Sequence, residues 1–256
     1  MNLEENKIVK SFWNEFQRKT ENYIKSKFLS GRKSFRTGFV KKAFGKYYPK
    51  EAYFYSKALD EYTSAMDDIY DDSKMNREEV RINIFLIHKI VMNMLLWPSK
   101  IRKIAYEHYE KMIRIAVIQD ITNYQLNKIK KEENAIEIAL KNYEGRAIDI
   151  DFAIEIALYF LKFRKKEREL ILDAGRIFRG INLFFKDIRD LQHDIFHETK
   201  TPIVIFHNKG FNIHHLKNRI YENSIEKIKE LKEKTKNEIT YKIIKNFEKM
   251  IKNEIK

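Results

Sequence analysis

The chain has 256 residues, 43% of them hydrophobic, with three prolines, seven glycines and no cysteine. That length and apolar content suffice for one domain spanning residues 1–256 with a substantial core, and the thin scatter of Pro and Gly offers no linker at which a boundary would fall. The absence of cysteine excludes a disulfide framework, thiolate chemistry and a cysteine-ligated metal, while the net charge of +14 is spread through Lys/Glu alternations such as Glu226 to Lys234, the pattern of solvated helix faces rather than of a nucleic-acid-binding block.

Apolar residues recur at helical spacing along almost the whole chain. Met1 to Glu5 lacks the basic start and apolar run of a secretory signal, so a cytoplasmic location is expected. Ile8, Phe12, Phe16, Tyr23 and Phe28 mark a first amphipathic segment, and Phe35, Phe39, Ala43 and Phe44 open a second. A helix is expected from Lys50 to Asp71 and another from Glu78 to Trp97, stopped by Pro98. The apolar part of the latter, Ile82 to Trp97, is interrupted by Asn83, His88, Lys89 and Asn93 and falls short of the ~20 residues that span a bilayer, so it reads as a buried helix. Ser99 is placed to cap the next helix, running through Ile113 to about Ile129. Ala135 to Tyr143, Ile148 to Phe163 and Glu167 to Phe196 follow. The β-branched run Ile203-Val204-Ile205 is too short to argue for a sheet. In the tail from Tyr221 to Lys256, Ile225, Ile228, Leu231, Ile239, Ile243, Phe247 and Ile251 fall on roughly one face. The pattern predicts an all-α helical bundle.

Two acidic clusters stand out from this background, Asp67-Asp68-Ile69-Tyr70-Asp71-Asp72 and Asp187-Ile188-Arg189-Asp190-Leu191-Gln192-His193-Asp194. Asp67 and Asp71 are one helical turn apart, which aims both carboxylates the same way at about 6 Å spacing. Such a pair suits a hard cation whose remaining ligands are water and phosphate oxygens, as Mg²⁺ commonly binds beside a diphosphate. In the second cluster, Asp190 and Asp194 follow Asp187 on roughly its own helix face. Carboxylates packed this closely raise each other's pKa values unless cations sit among them. His193 and His197 have a spacing that also suits zinc with Asp190 or Asp194, and solvated helix histidines read the same way.

Ser64 to Arg77 closely resembles the first aspartate-rich motif of the trans-isoprenyl diphosphate (polyprenyl) synthases, with Asp67, Asp68 and Asp71 as its acids. Arg77 matches the second of the two arginines that follow, and Asn76 replaces the first. Gly175 to Asp187 is similar to that family's approach to its second acidic motif: both glycines match, Phe184 stands where glutamine is usual, and Ile188 and Leu191 replace aspartates. Asp187 is then the one aligned ligand, with Asp190 and Asp194 as substitutes. The spacing of Asp190, Asp194 and Glu198 resembles the second metal motif of class I terpene cyclases, and Arg189-Asp190 with Asp194 resembles squalene and phytoene synthases. Gly31 to Thr37 resembles the early basic motif that holds the non-allylic diphosphate, carrying over Lys33 and Arg36, with Arg32 placed to compensate for Ser34. Lys200-Thr201-Pro202-Ile203-Val204 is similar to the segment after the second motif, making Lys200 a phosphate ligand, and Arg146 stands where a lysine is usual.

The resemblance, in the correct order from about residue 30 to about 205, implies a bundle around a central apolar cavity. It implies a Mg²⁺-dependent prenyltransferase that condenses isopentenyl diphosphate with an allylic diphosphate. Three Mg²⁺ ions would be bridged by Asp67, Asp71 and Asp187, and Lys33, Arg36 and Arg77 would hold isopentenyl diphosphate. Tyr62 and Thr63, one turn below the first motif, would set product length, although Tyr62 reads equally as ordinary core. The pattern is similar to archaeal short-chain synthases and suggests a C20 product, with C15 next, made by a homodimer. The alternatives are a class I terpene cyclase or head-to-head synthase, a catalytically weak partner subunit of a prenyl synthase, and a basic helical binding protein.

Overall fold

The computed structural model describes residues 11, 14, 15, 18, 35–71 and 77–254, without the side chains of Asp67, Asp68, Tyr70, Asp71, Glu78 and Glu79. The amphipathic segment expected from Ile8 to Phe28 falls almost wholly outside them. The described chain is all-α, and no strand occurs among its residues.

Helix α1 (Phe35–Phe44) ends where Gly45 adopts a left-handed φ of 55°, available to glycine without steric cost, and a short 3-10 turn follows. Helix α2 (Lys50–Asp71) has the expected ends, and α3 (Arg77–Met94) ends three residues before the expected Trp97, with the Leu96 and Trp97 amides closing turns onto Asn93 and Met94 ahead of Pro98. Helix α4 (Ser99–Lys128) begins at Ser99 itself. The expected serine cap is therefore absent: Pro98 holds the cap position and supplies a pre-set φ of −53° in place of a side-chain hydrogen bond. Helix α5 (Glu132–Arg146), the 3-10 turn Ala147–Ile150 and α6 (Asp151–Leu161) lead to α7 (Lys165–Arg189). The helix expected to run unbroken to Phe196 turns at Asp190, and α8 (Leu191–Phe196) is a separate short helix. Ile203-Val204-Ile205 lies in α9 (Pro202–Asn208), because Thr201 accepts a hydrogen bond from the Val204 amide at 3.3 Å and Pro202 starts the helix. The tail divides into α10 (Ile213–Lys234) and α11 (Glu238–Glu254), where the Asn237 side chain accepts from the amides of Ile239 and Thr240, each at 3.0 Å.

The described residues fall into two units. One holds those up to Gly38 together with Lys57–Trp97, and the other holds Phe39–Ser56 and Pro98–Lys256. In the first, Leu59, Tyr62, Ala65, Ile82, Ile90, Met94 and Trp97 are buried. In the second, α7 packs against α5, α6, α10 and α11. The close approach of α6 needs Gly175, where a Cβ would lie 2.2 Å from Ile154 Cδ1. Phe178 of α7 meets Phe247 of α11 at 5.9 Å and Phe39 of α1 edge-on at 5.0 Å, the offset geometries that ring quadrupoles favour. No described helix is long and apolar enough to cross a membrane.

Helix α4 also keeps an apolar stripe in solvent. Tyr106, Ile113, Val117, Ile121 and Tyr124 are each at least half exposed, and at 100° per residue they span only about 80° of the helix circumference.

Candidate functional site

The second acidic cluster sits where α7 ends, in the larger unit. Asp187, in the last turn of α7, is 3% exposed. Across from it, α5 presents two residues one turn apart, Tyr143 and Arg146, so that both reach the same carboxylate. Arg146 donates from Nη1 to Asp187 Oδ2 at 2.7 Å and from Nη2 to Oδ1 at 3.3 Å, the fork geometry that makes arginine pairs strong. The Tyr143 hydroxyl donates to Asp187 Oδ2 at 3.1 Å. Burial and the neighbouring Asp187 charge push the Tyr143 hydroxyl well above its usual pKa, with Arg146 opposing, so it stays a donor. Burial disfavours the Arg146 cation, but the Asp187 carboxylate outweighs it and raises the Arg146 pKa.

The chain turns at Asp190, whose amide donates to the Lys186 carbonyl at 2.9 Å and whose carbonyl accepts from the Asp194 amide at 2.8 Å. Burial raises the Asp194 pKa, and the charges of Asp187 and Asp190 raise it further, while His193 and Lys186 oppose. The charges of Asp187 and Asp190 are thus felt at Asp194, but the three aspartates are not grouped to hold a metal. His193 approaches Asp194 at 3.7 Å and its ring lies 4.3 Å from that of His197. The loop carrying exposed Lys200 is tied to α4 by its own carbonyl, which accepts from Asn123 Nδ2 at 2.6 Å.

The first acidic motif belongs to the smaller unit. Asp67, Asp68 and Asp71 occupy the end of α2 with the backbone helical, and their side chains lie outside the described ones. Arg32 and Lys33 also lie outside the described residues. Arg77 opens α3 with its side chain in solvent. Arg36 is buried instead, donating to Asp60 Oδ1 at 3.2 Å, while the Thr37 amide donates to Asp60 Oδ2 at 2.9 Å. Burial raises the Asp60 pKa, against the Arg36 charge and these hydrogen bonds. Tyr62 and Thr63 are buried about one turn before Asp67, and the Thr63 hydroxyl donates to the Leu59 carbonyl at 2.8 Å.

Three ionic groupings went unread in the sequence. Asp149 receives Arg179 through a fork of 2.8 and 2.7 Å. Asp151 receives Arg176 at 2.8 and 2.7 Å and Lys111 at 2.9 Å. Asp60 holds Arg36. The signal for the first two was Asp149 and Asp151, with Glu155 beyond them, inside the otherwise apolar run from Ala147 to Leu158, since a charge in a core segment needs a partner.

The hard, all-carboxylate character of the acidic clusters is the chemistry of Mg²⁺. The second cluster does not fit an ion as it stands, because Arg146 engages both Asp187 oxygens. Among the described residues no three His, Cys, Asp or Glu side chains are grouped to hold a metal. No protein-family model, curated protein or solved structure matches the chain.

Proposed function

We propose that the protein is a short-chain trans-prenyltransferase that joins isopentenyl diphosphate to an allylic diphosphate, giving a C20 or C15 product. The observation that carries the reading is the placement of Asp187, the aligned acid of the second motif, in the last turn of α7, with Asp190 and Asp194 following it in sequence and with the two α5 residues Tyr143 and Arg146 beside it. It is supported by the order of the motifs and by the helical backbone that sets Asp67 and Asp71 one turn apart.

In this reaction the allylic C–O bond breaks, the diphosphate leaves with the electron pair, and the double bond of isopentenyl diphosphate attacks the carbocation. The proton lost in re-forming a double bond goes to the departing diphosphate, so no protein base is required. Lys33, Arg77 and Lys200 hold diphosphate oxygens, and positioning of the two substrates supplies much of the rate. Tyr62 and Thr63 limit the product's length. The reading keeps Mg²⁺ as cofactor through Asp67, Asp68 and Asp71. Its site is cytoplasmic, and the exposed stripe on α4 supports a homodimer.

A second reading has one observation in its favour. Arg146 already neutralises the one aligned ligand of the second motif, which suits a catalytically weak partner subunit. Incubation with radiolabelled isopentenyl diphosphate, Mg²⁺ and each allylic primer in turn separates the readings. Label in a longer allylic product is expected, a cyclic hydrocarbon formed without isopentenyl diphosphate indicates a cyclase, and inertness indicates the partner subunit.

A further inference from the structure

The other end of α7 faces a different chemistry. About 28 Å along that helix from Asp187, at 1.5 Å per residue, the larger unit has an open cavity of about 670 Å³ at Arg168, within the range of small-molecule sites. Its lining grades from exposed Lys100, Lys103 and Lys162 through half-buried Arg168, Tyr159 and Phe160 to buried Ile104. Phe160 is held flat against Tyr55, with centroids at 6.2 Å and planes 19° apart, and meets Tyr159 edge-on at 5.0 Å. The cavity therefore offers aromatic and aliphatic surface below a cationic mouth.

The positive charge is only partly balanced by the protein. Of the two lining carboxylates, Glu155 is engaged by Lys111 at 2.9 Å and Glu107 stands 3.7 Å from Lys103. Among the described residues no carboxylate lies within ion-pairing distance of Lys100, Lys162 or Arg168. Lys100 and Lys103 stand at the start of α4, whose first turn has no acid, and Arg168 stands in the first turn of α7. Both are positive helix ends, where added cations are unfavourable and an anion is favoured. Clustered cations over low-dielectric walls focus a field that concentrates anions.

We propose that this cavity binds an organic diphosphate whose remainder is apolar or aromatic. Arg168 supplies a planar fork for phosphate oxygens, the lysines supply point charges, and Tyr159 and Phe160 receive the remainder. The site lies at the far end of α7 from the second acidic cluster and does not rest on the proposed prenyl transfer. The same chemistry is carried by a prenyl diphosphate and by a nucleoside diphosphate.

Isothermal titration of the full chain in EDTA at low salt, with farnesyl diphosphate, ADP and inorganic pyrophosphate as separate probes, tests it. One-to-one binding of farnesyl diphosphate or ADP is expected, at least tenfold tighter than pyrophosphate, and which of the two binds identifies the source. Both Lys162→Glu/Arg168→Glu and Lys100→Glu/Lys103→Glu, on opposite walls, are expected to weaken it at least tenfold with unchanged thermal melting. The proposal is overturned if neither organic diphosphate binds saturably, if pyrophosphate binds equally well, or if the folded variants bind like the parent. A metal-free binding readout leaves it independent of whether any prenyl product forms.

Discussion

Arg146 and Asp187 are both about nine-tenths buried and joined by two hydrogen bonds, so removing the cation leaves a carboxylate with only Tyr143 to answer it. Breaking a buried pair in this way costs about 3–5 kcal/mol, whereas replacing both partners by apolar groups costs much less. Urea denaturation is expected to place Arg146→Met in that range below the parent, with Arg146→Met/Asp187→Leu clearly less destabilised; a single variant within about 1 kcal/mol would show that the pair is not held as described. Glu61 in α2 is a different residue-level case. Burial, with the Asp60 charge added, raises its carboxyl from 4.5 to about 7 against Lys57 at 3.7 Å. Between those values the folded chain keeps a proton that the unfolded chain has released, so this group's contribution falls as pH rises from 4.5 through 7. Melting temperature followed over that window is expected to decline more steeply in the parent than in Glu61→Gln. Parallel profiles would mean that Glu61 titrates normally. The sequence marked Arg36, Arg146 and Asp187 as charges with a purpose, but gave no hint that two of them are mutual partners and that the third belongs to Asp60, because ion pairs across 24 or 41 residues depend on helix packing.

At the level of elements, the helices were largely legible because a 3.6-residue apolar period survives along most of the chain. What periodicity misses is a break made by a side-chain cap within a continuous pattern. Asn237 divides the tail, and Thr201 with Pro202 starts a helix over a β-branched run. The break at Asp190 divides the helix expected to reach Phe196, although backbone hydrogen bonds of helical spacing continue on both sides of it, from Asp190 to Lys186 and from Asp194 to Asp190. The two glycines of α7 have unequal roles. A Cβ at Gly175 would meet fully buried Ile154 at 2.2 Å, while at Gly180 its nearest neighbour would be the Tyr143 carbonyl oxygen at 3.5 Å, ordinary contact. Gly175→Ala is therefore expected to destabilise by about 1–3 kcal/mol through overpacking, and Gly180→Ala to be neutral or stabilising through up to ~1 kcal/mol of helix propensity. Chemical denaturation of the two variants checks this, and equal losses would contradict it.

At the scale of the whole molecule, the all-α class follows from composition and period alone, whereas the division of the described residues into two units, one of them built from Phe39–Ser56 and Pro98–Lys256, has no mark in linker composition. The exposed stripe on α4 was also invisible, because its residues look like core until their neighbours are known. If it is a dimer face, Ile113→Glu/Val117→Glu places like charges at its centre and is expected to convert a dimer of about twice the 31.0 kDa chain mass into a monomer in light scattering. An unchanged mass would leave the stripe without that role. The claim on which the rest depends is ionisation of an allylic diphosphate coupled to isopentenyl addition. Pyrophosphate release from geranyl or farnesyl diphosphate with Mg²⁺ measures it, for the parent beside Asp67→Asn/Asp71→Asn. Release that requires isopentenyl diphosphate, matches the label incorporated one to one and falls at least 100-fold in the variant, about 2.7 kcal/mol of barrier, is the predicted result; no release, or release indifferent to Asp67 and Asp71, would contradict it.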